Sequence, residues 1–245
     1  MKARWLLYIL PVWLVIGWSC SSQNFPMTQE FKDNNRSDRF NNMDGPTIHF
    51  LDYRIANYDY SAGERIDSVI REGIILAGRS IRTGITDIKF NLSSPADTCR
   101  VKCQYIRKYE YYGRSAAVSI LNLFSKNKQP QETFEIILED QASGTISLPG
   151  NNPARFSFND ITKENKVKGW LLIDADSFRL APAFRIRKNY DNDSAFAGFH
   201  LLKGDIIYGA MGAPGGVVGK IYIYTKATAK QQMLIAAFLA NIQKL

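Results

Sequence analysis

Four sets of side chains in this chain have a type and spacing that can do chemistry. The first is a carboxylate pair. In Ile173-Asp174-Ala175-Asp176-Ser177, extended backbone puts Asp174 and Asp176 on one face, as general acid and base work requires. With His200 either aspartate would begin a hydrolase site, yet no Gly-x-Ser-x-Gly elbow is present to supply a nucleophile. The plainer reading is a polar turn after Trp170-Leu171-Leu172-Ile173 and a structural histidine on a strand. The second set is Cys99 and Cys103, in Thr98-Cys99-Arg100-Val101-Lys102-Cys103-Gln104-Tyr105. Alternation predicts a strand with Cys99, Val101, Cys103 and Tyr105 on one face. Extended, the two Cα atoms are about 13 Å apart, well beyond the roughly 7 Å limit of a disulfide. Two buried thiols are expected, whereas a turn between them would permit a bridge in an oxidising compartment. No metal site and no cofactor are expected, because His49 and His200 are the only imidazoles.

The third set is a tyrosine-rich, basic stretch. Tyr105, Tyr109, Tyr111 and Tyr112 are interleaved with Arg107, Lys108 and Arg114. Flat amphipathic rings supply contact area and cations supply charge, so such mixtures stack sugars or grip anionic polymers. Tyr105, Arg107, Tyr109, Tyr111 and Tyr112 are therefore the candidate ligand-binding residues, set against a tyrosine-rich exposed strand face. A phosphate loop is excluded at Gly215-Gly216-Val217-Val218-Gly219-Lys220-Ile221: Pro214 stands where the first glycine belongs and Ile221 replaces the Ser/Thr.

The fourth is Cys20. Lys2 and Arg4 precede an apolar run from Trp5 to Ile16, and Gly17-Trp18-Ser19-Cys20 closes it. The run is too short for the roughly 20 apolar residues that span a bilayer, and its layout is that of an export leader. With a cysteine at the cut, these residues resemble a bacterial lipoprotein signal, although Gly17 and Trp18 depart from its usual box. The resemblance implies removal of residues 1–19, lipidation of Cys20 and a membrane anchor. It also implies outer-membrane over inner-membrane sorting, since Ser21 rather than Asp follows the cysteine. The leader takes Lys2 and Arg4 with it, lowering the net charge of +8 by two to +6. For an exported, tethered protein, acidic partners would be lipid headgroups, anionic glycans or wall polymers; nucleic acid is not expected.

Residues 20–46 are polar, with Asn34-Asn35 and Asn41-Asn42 and few aliphatics, and read as a tether reaching about 30 Å. Phe25, Phe31 and Phe40 offer an alternative in which part of it packs on the domain. Residues 47–245 read as a single globular domain, 45% hydrophobic residues over the whole chain being ample for a core. Its strands are expected at Thr47 to Ile55, Asp87 to Leu92, Cys99 to Tyr112, Thr133 to Glu139, Arg155 to Phe158, Phe184 to Arg187 and Lys220 to Tyr224. Phe199 to Leu202 and Ile206 to Tyr208 flank a Lys203-Gly204-Asp205 turn. Ala116 to Phe124 has helical spacing, and Glu64 to Ala77 is ambiguous. Lys230 to Leu245 is the strongest helix: Met233 to Ala240 is eight apolar residues in a row, apolar all round, and such a helix belongs inside something. Gln231, Gln232, Asn241 and Gln243 would mark its emergent ends.

The fold class is therefore mainly β (α+β), an antiparallel β-barrel or β-sandwich packed around or against an apolar C-terminal helix. From Gly198-Phe199-His200-Leu201-Leu202-Lys203-Gly204-Asp205 through Lys220 to Tyr224 to the terminal helix, the chain resembles the ending of Tubby-like and LURP-one-like domains. That resemblance implies a barrel closed around the helix. Function is expected to be binding or structural: a membrane-anchored envelope lipoprotein with an envelope glycan, lipid or protein as partner. The rivals are an envelope hydrolase using Asp174, Asp176 or His200, and an assembly component of an envelope complex.

Overall fold

The computed structural model describes residues 25–41, 47–72, 77–112, 134–160, 167–186, 194–212 and 218–244. Cys20 with the leader expected before it, and the expected helix at Ala116 to Phe124, lie outside them. Twelve strands form one antiparallel sheet: β1 (Asn35–Asn41), β2 (Ile48–Phe50), β3 (Tyr53–Glu72), β4 (Ala77–Ser93), β5 (Thr98–Tyr112), β6 (Phe134–Ser147), β7 (Ala154–Asn159), β8 (Lys168–Ile173), β9 (Asp176–Ile186), β10 (Ser194–Lys203), β11 (Ile206–Gly212) and β12 (Val218–Tyr224). From β2 to β12 each strand pairs with its sequence neighbour, and β1 pairs with β12. The sheet curls into a nearly closed barrel, which decides between the two architectures the sequence left open. At the seam, side chains join β1 to the β2 hairpin. The Leu51 N–H donates to Asp38 Oδ2 at 2.8 Å, Arg36 pairs with Asp52 and donates to the Tyr53 hydroxyl, and the Phe40 and Phe50 rings meet edge-on at 5.2 Å.

Alternation fills the barrel. On β7, Ala154, Phe156 and Phe158 point inward while Arg155 and Asn159 are exposed; on β5, Cys99, Val101 and Cys103 point inward while Arg100, Lys102 and Gln104 face water. Both cysteines are free and buried, and burial pushes their thiols up to about 12 and about 11 respectively. The segment Glu64 to Glu72, ambiguous in sequence, is strand.

The C-terminal helix, α2 (Ala229–Lys244), runs through the interior, packing on β5, β6, β8, β11 and β12. Every residue from Met233 to Gln243 is at most 3% exposed. Sixteen residues rise about 24 Å, enough to thread the barrel. Phe238 meets the Phe156 and Phe158 rings at 5.5 and 6.0 Å. Two glycines let the wall approach: a Cβ on Gly209 would lie 2.7 Å from Ile235 Cγ2, and one on Gly219 would lie 2.7 Å from Gln243 Nε2. A reciprocal cap starts the helix, the Gln231 N–H donating to Thr228 Oγ1 at 3.2 Å and the Thr228 N–H to Gln231 Oε1 at 3.1 Å. Asn241 and Gln243 are buried instead of emergent, because the wall extends past that end of the helix; Asn241 lies beside the Cys103 thiol.

Part of the expected tether is barrel. Residues 25–34, with α1 (Gln29–Asp33), strap the outer wall, and β1 completes the sheet. The sequence signal was outweighed because three aromatics suffice to dock the segment. Phe25 packs between His200 and Tyr222, Phe31 stacks on Tyr224, and Phe40 enters the core. His200 donates from Nε2–H to the Pro26 carbonyl at 2.7 Å. Burial holds its imidazole below the ordinary value, so the folded strap favours the neutral ring. The unfolded or undocked state then binds more protons, and docking weakens as pH falls from about 6.5 through the folded value.

Two outcomes are expected. Phe238→Ala should cost about 3–5 kcal/mol in urea unfolding, and Leu234→Asp should not fold; near-native stability of both would mean that α2 is not enclosed. Amide protection in residues 27–34 should decrease below pH 6.5 in the native protein, and His200→Gln should remove that pH dependence; an unchanged profile would take the strap's pH response away from His200.

Candidate functional site

Strands β3 to β6 are far longer than β7 and β8, and β7 pairs only with residues 141–146 of β6. The four therefore continue past the barrel as a ribbon of their own. Its inner face continues the alternation that fills the barrel below. Along β5 the inward series passes from Cys103 to Tyr105, Arg107, Tyr109 and Tyr111, so the apolar lining gives way to tyrosine and arginine at the barrel mouth.

There the ribbon walls a cleft of about 420 Å³. β3 supplies Tyr60, Ala62 and Glu64 and β5 supplies Tyr105, Arg107 and Tyr109; β4 contributes Thr86, and β6 contributes Glu135. Gly63 and Gly84 leave room: a Cβ on Gly63 would meet nothing within 4 Å, and one on Gly84 would make only ordinary contacts at 3.8 Å. The charged groups are already paired. Arg82 Nη1 lies 2.8 Å from Glu64 Oε1, and Arg107 Nη2 lies 2.8 Å from Glu135 Oε2. The Tyr109 hydroxyl donates to Glu64 Oε2 at 2.8 Å, and the Arg82 guanidinium covers the Tyr111 ring at 3.8 Å. The hydroxyl of Tyr109 is the main reason that Glu64 stays ionised below the ordinary carboxylate range, with Arg82 adding to it. Burial pushes Tyr105 up to about 12 and also raises Tyr109, so both remain neutral donors at physiological pH.

Four of the five candidate binding residues thus come together: Tyr105, Arg107 and Tyr109 line the cleft, and Tyr111 flanks it under Arg82. Tyr112 ends β5, its side chain outside the described residues, as is Arg114. Lys108 points to the opposite face, near Asp67. Sequence reasoning missed Tyr60, Glu64, Arg82 and Glu135, which other strands deliver. A bulge at residues 56–59 sets which β3 side chains face inward, and one strand's pattern carries no sign of it.

The hydrolase residues are not assembled. Strand register sets His200 opposite Ala181, five residues and about 17 Å along β9 from Asp176. Asp174, in the β8–β9 turn, takes Lys230 Nζ at 2.7 Å, and Asp176 takes Lys203 Nζ at 2.7 Å and Gln231 Nε2 at 2.9 Å. The two aspartates anchor the start of α2. Among the described residues no three His, Cys, Asp or Glu gather as a metal site, and no helix is long and apolar enough to cross a membrane. On the outer wall a smaller hollow of about 270 Å³ lies beside Trp170. Compared with known proteins, the chain matches no family model, no curated protein and no solved structure.

The Glu64 contact sets a sign. Its contribution is complete above the ordinary carboxyl value of 4.5 and is lost as pH falls through the lower folded value. In Tyr109→Phe the Glu64 carboxyl, followed by ¹³C NMR, should titrate closer to 4.5; an unmoved midpoint would show that the hydroxyl does not hold it.

Proposed function

We propose that this chain is an envelope lipoprotein, anchored through Cys20 with the outer membrane favoured, that binds a ligand in the cleft at its barrel mouth and performs no catalysis. The observation that carries the reading is the convergence of Tyr60, Tyr105 and Tyr109 with two arginine–carboxylate pairs around a 420 Å³ space. Small-molecule sites commonly occupy roughly 300–1,000 Å³ and fix their ligand with a few placed polar groups. The separation of His200 from Asp174 and Asp176 removes support from the hydrolase alternative. A barrel around a C-terminal helix is also what the resemblance to Tubby-like and LURP-one-like domains implies.

The strap bears on how an anchored molecule would sit. From Cys20 to the docked Phe25 the chain spans at most about 18 Å. An anchor at Cys20 would therefore hold the wall of β10 to β12 close to the headgroups. In the strand order β11 lies six places from β5, across the barrel, so the ribbon bearing the cleft stands on the far side from that wall.

Cys20→Ala should abolish acyl labelling and move the folded protein from the membrane to the soluble fraction. Tyr109→Ala with Tyr111→Ala should leave labelling intact and weaken retention on envelope fragments. Continued labelling of Cys20→Ala would refute the anchor, and unchanged retention of the double variant would refute the cleft.

A further inference from the structure

We infer that the cleft takes a short neutral oligosaccharide, an assignment that rests on the binding reading above and names its ligand class. The charge balance decides against an anion. Arg82 and Arg107 each already hold a carboxylate at 2.8 Å, Glu64 and Glu135 respectively, so two cations face two anions. Asp140, buried on β6 opposite Arg107, adds a further carboxylate nearby. An entering phosphate or uronate would meet guanidinium groups whose charge Glu64 and Glu135 already balance, and would lie beside those carboxylates. Among the described residues the excess of positive charge is thus not focused here.

The lining also decides against an acyl chain. Among the described residues Ala62 and Ile88 are its only aliphatic members, and charged or hydroxyl groups supply most of the rest. What remains suits a polyhydroxylated ring. Tyrosine presents an apolar face to the C–H side of a sugar and a hydroxyl to its rim. Guanidinium and carboxylate are planar forks that reach two neighbouring oxygens at once, and an arginine–glutamate pair offers donors and acceptors side by side. Tyr60 is 57% exposed, a ring free to take a stacking partner, while Glu64, Arg82, Tyr109 and Tyr111 hold one another in place before any ligand arrives. Such preorganisation lowers the ordering cost of binding.

The test uses the full lipidated chain in detergent, titrated calorimetrically with maltotriose, cellotriose, mannotriose and the N-acetylglucosamine trimer, and in parallel with trigalacturonic acid and inorganic phosphate. At least one neutral trimer should bind, with an affinity that changes little between 50 and 500 mM NaCl because no net charge is neutralised. Tyr60→Ala should weaken it about tenfold, the scale of a lost aromatic anchor, and Glu135→Gln should weaken it as well. Trp170→Ala, on the outer wall, should leave it unchanged. Binding only of the anionic probes, with steep salt dependence, would overturn the assignment, as would loss of binding in Trp170→Ala but not in Tyr60→Ala. If no neutral trimer binds, the ligand class is wrong; the binding reading itself would still stand if Tyr109→Ala with Tyr111→Ala reduces retention on envelope fragments, and would fall if it does not.

Discussion

The enclosure of α2 is the constraint on which the rest of this structure depends. A helix that is apolar on every side cannot rest on a flat sheet without exposing half of itself, so the sheet must wrap it. The strands in turn enclose too wide a space for their own side chains to fill, and the helix supplies the missing volume. Each half of the core therefore requires the other. The same mutual dependence explains Gly209 and Gly219, where any side chain would hold the wall off the helix, and the aspartates of the β8–β9 turn, which receive Lys230 and Gln231 as the helix enters.

Where the helix ends, the packing rule changes. Below the mouth, the inward face of β5 is fixed by contact with α2; above it, the same face meets no helix among the described residues, and tyrosine and charge replace cysteine and valine. The ribbon of β3 to β6 can bear these residues because its register is set in the barrel beneath. Beyond Ile55, β3 has a sheet partner on one side only among the described residues. Asp59, Arg65, Asp67 and two bulges along that strand blunt an edge that would otherwise invite further pairing.

The N-terminal strap shows how little apolar surface is needed to recruit a polar segment. Phe25 and Phe31 occupy sites on the outer wall next to Tyr222 and Tyr224, and Glu30 accepts the Tyr224 hydroxyl at 2.6 Å. β1 then supplies the twelfth strand, so the barrel is brought nearly to closure by a stretch whose composition suggests a flexible leash.

The sequence by itself determined the features that depend on near neighbours. The period-two alternation around Cys99 and Phe156, the turn at Gly204 and the all-round apolar run at Met233 each follow from local residue types, and together they specified strands around a buried helix. It also marked Tyr105, Arg107, Tyr109, Tyr111 and Tyr112 as an aromatic and basic cluster, and the structure sets the first four on one face. Tertiary structure alone decided that the sheet closes into a barrel, that Asn35 to Asn41 belongs to it, and that Tyr60, Glu64, Arg82 and Glu135 meet the β5 tyrosines. Those outcomes depend on strand register across long sequence separations, and a bulge of one extra residue exchanges the faces of everything beyond it. The partners of each charge are set in the same way, which is why an overall basic chain carries a cleft whose arginines are already neutralised.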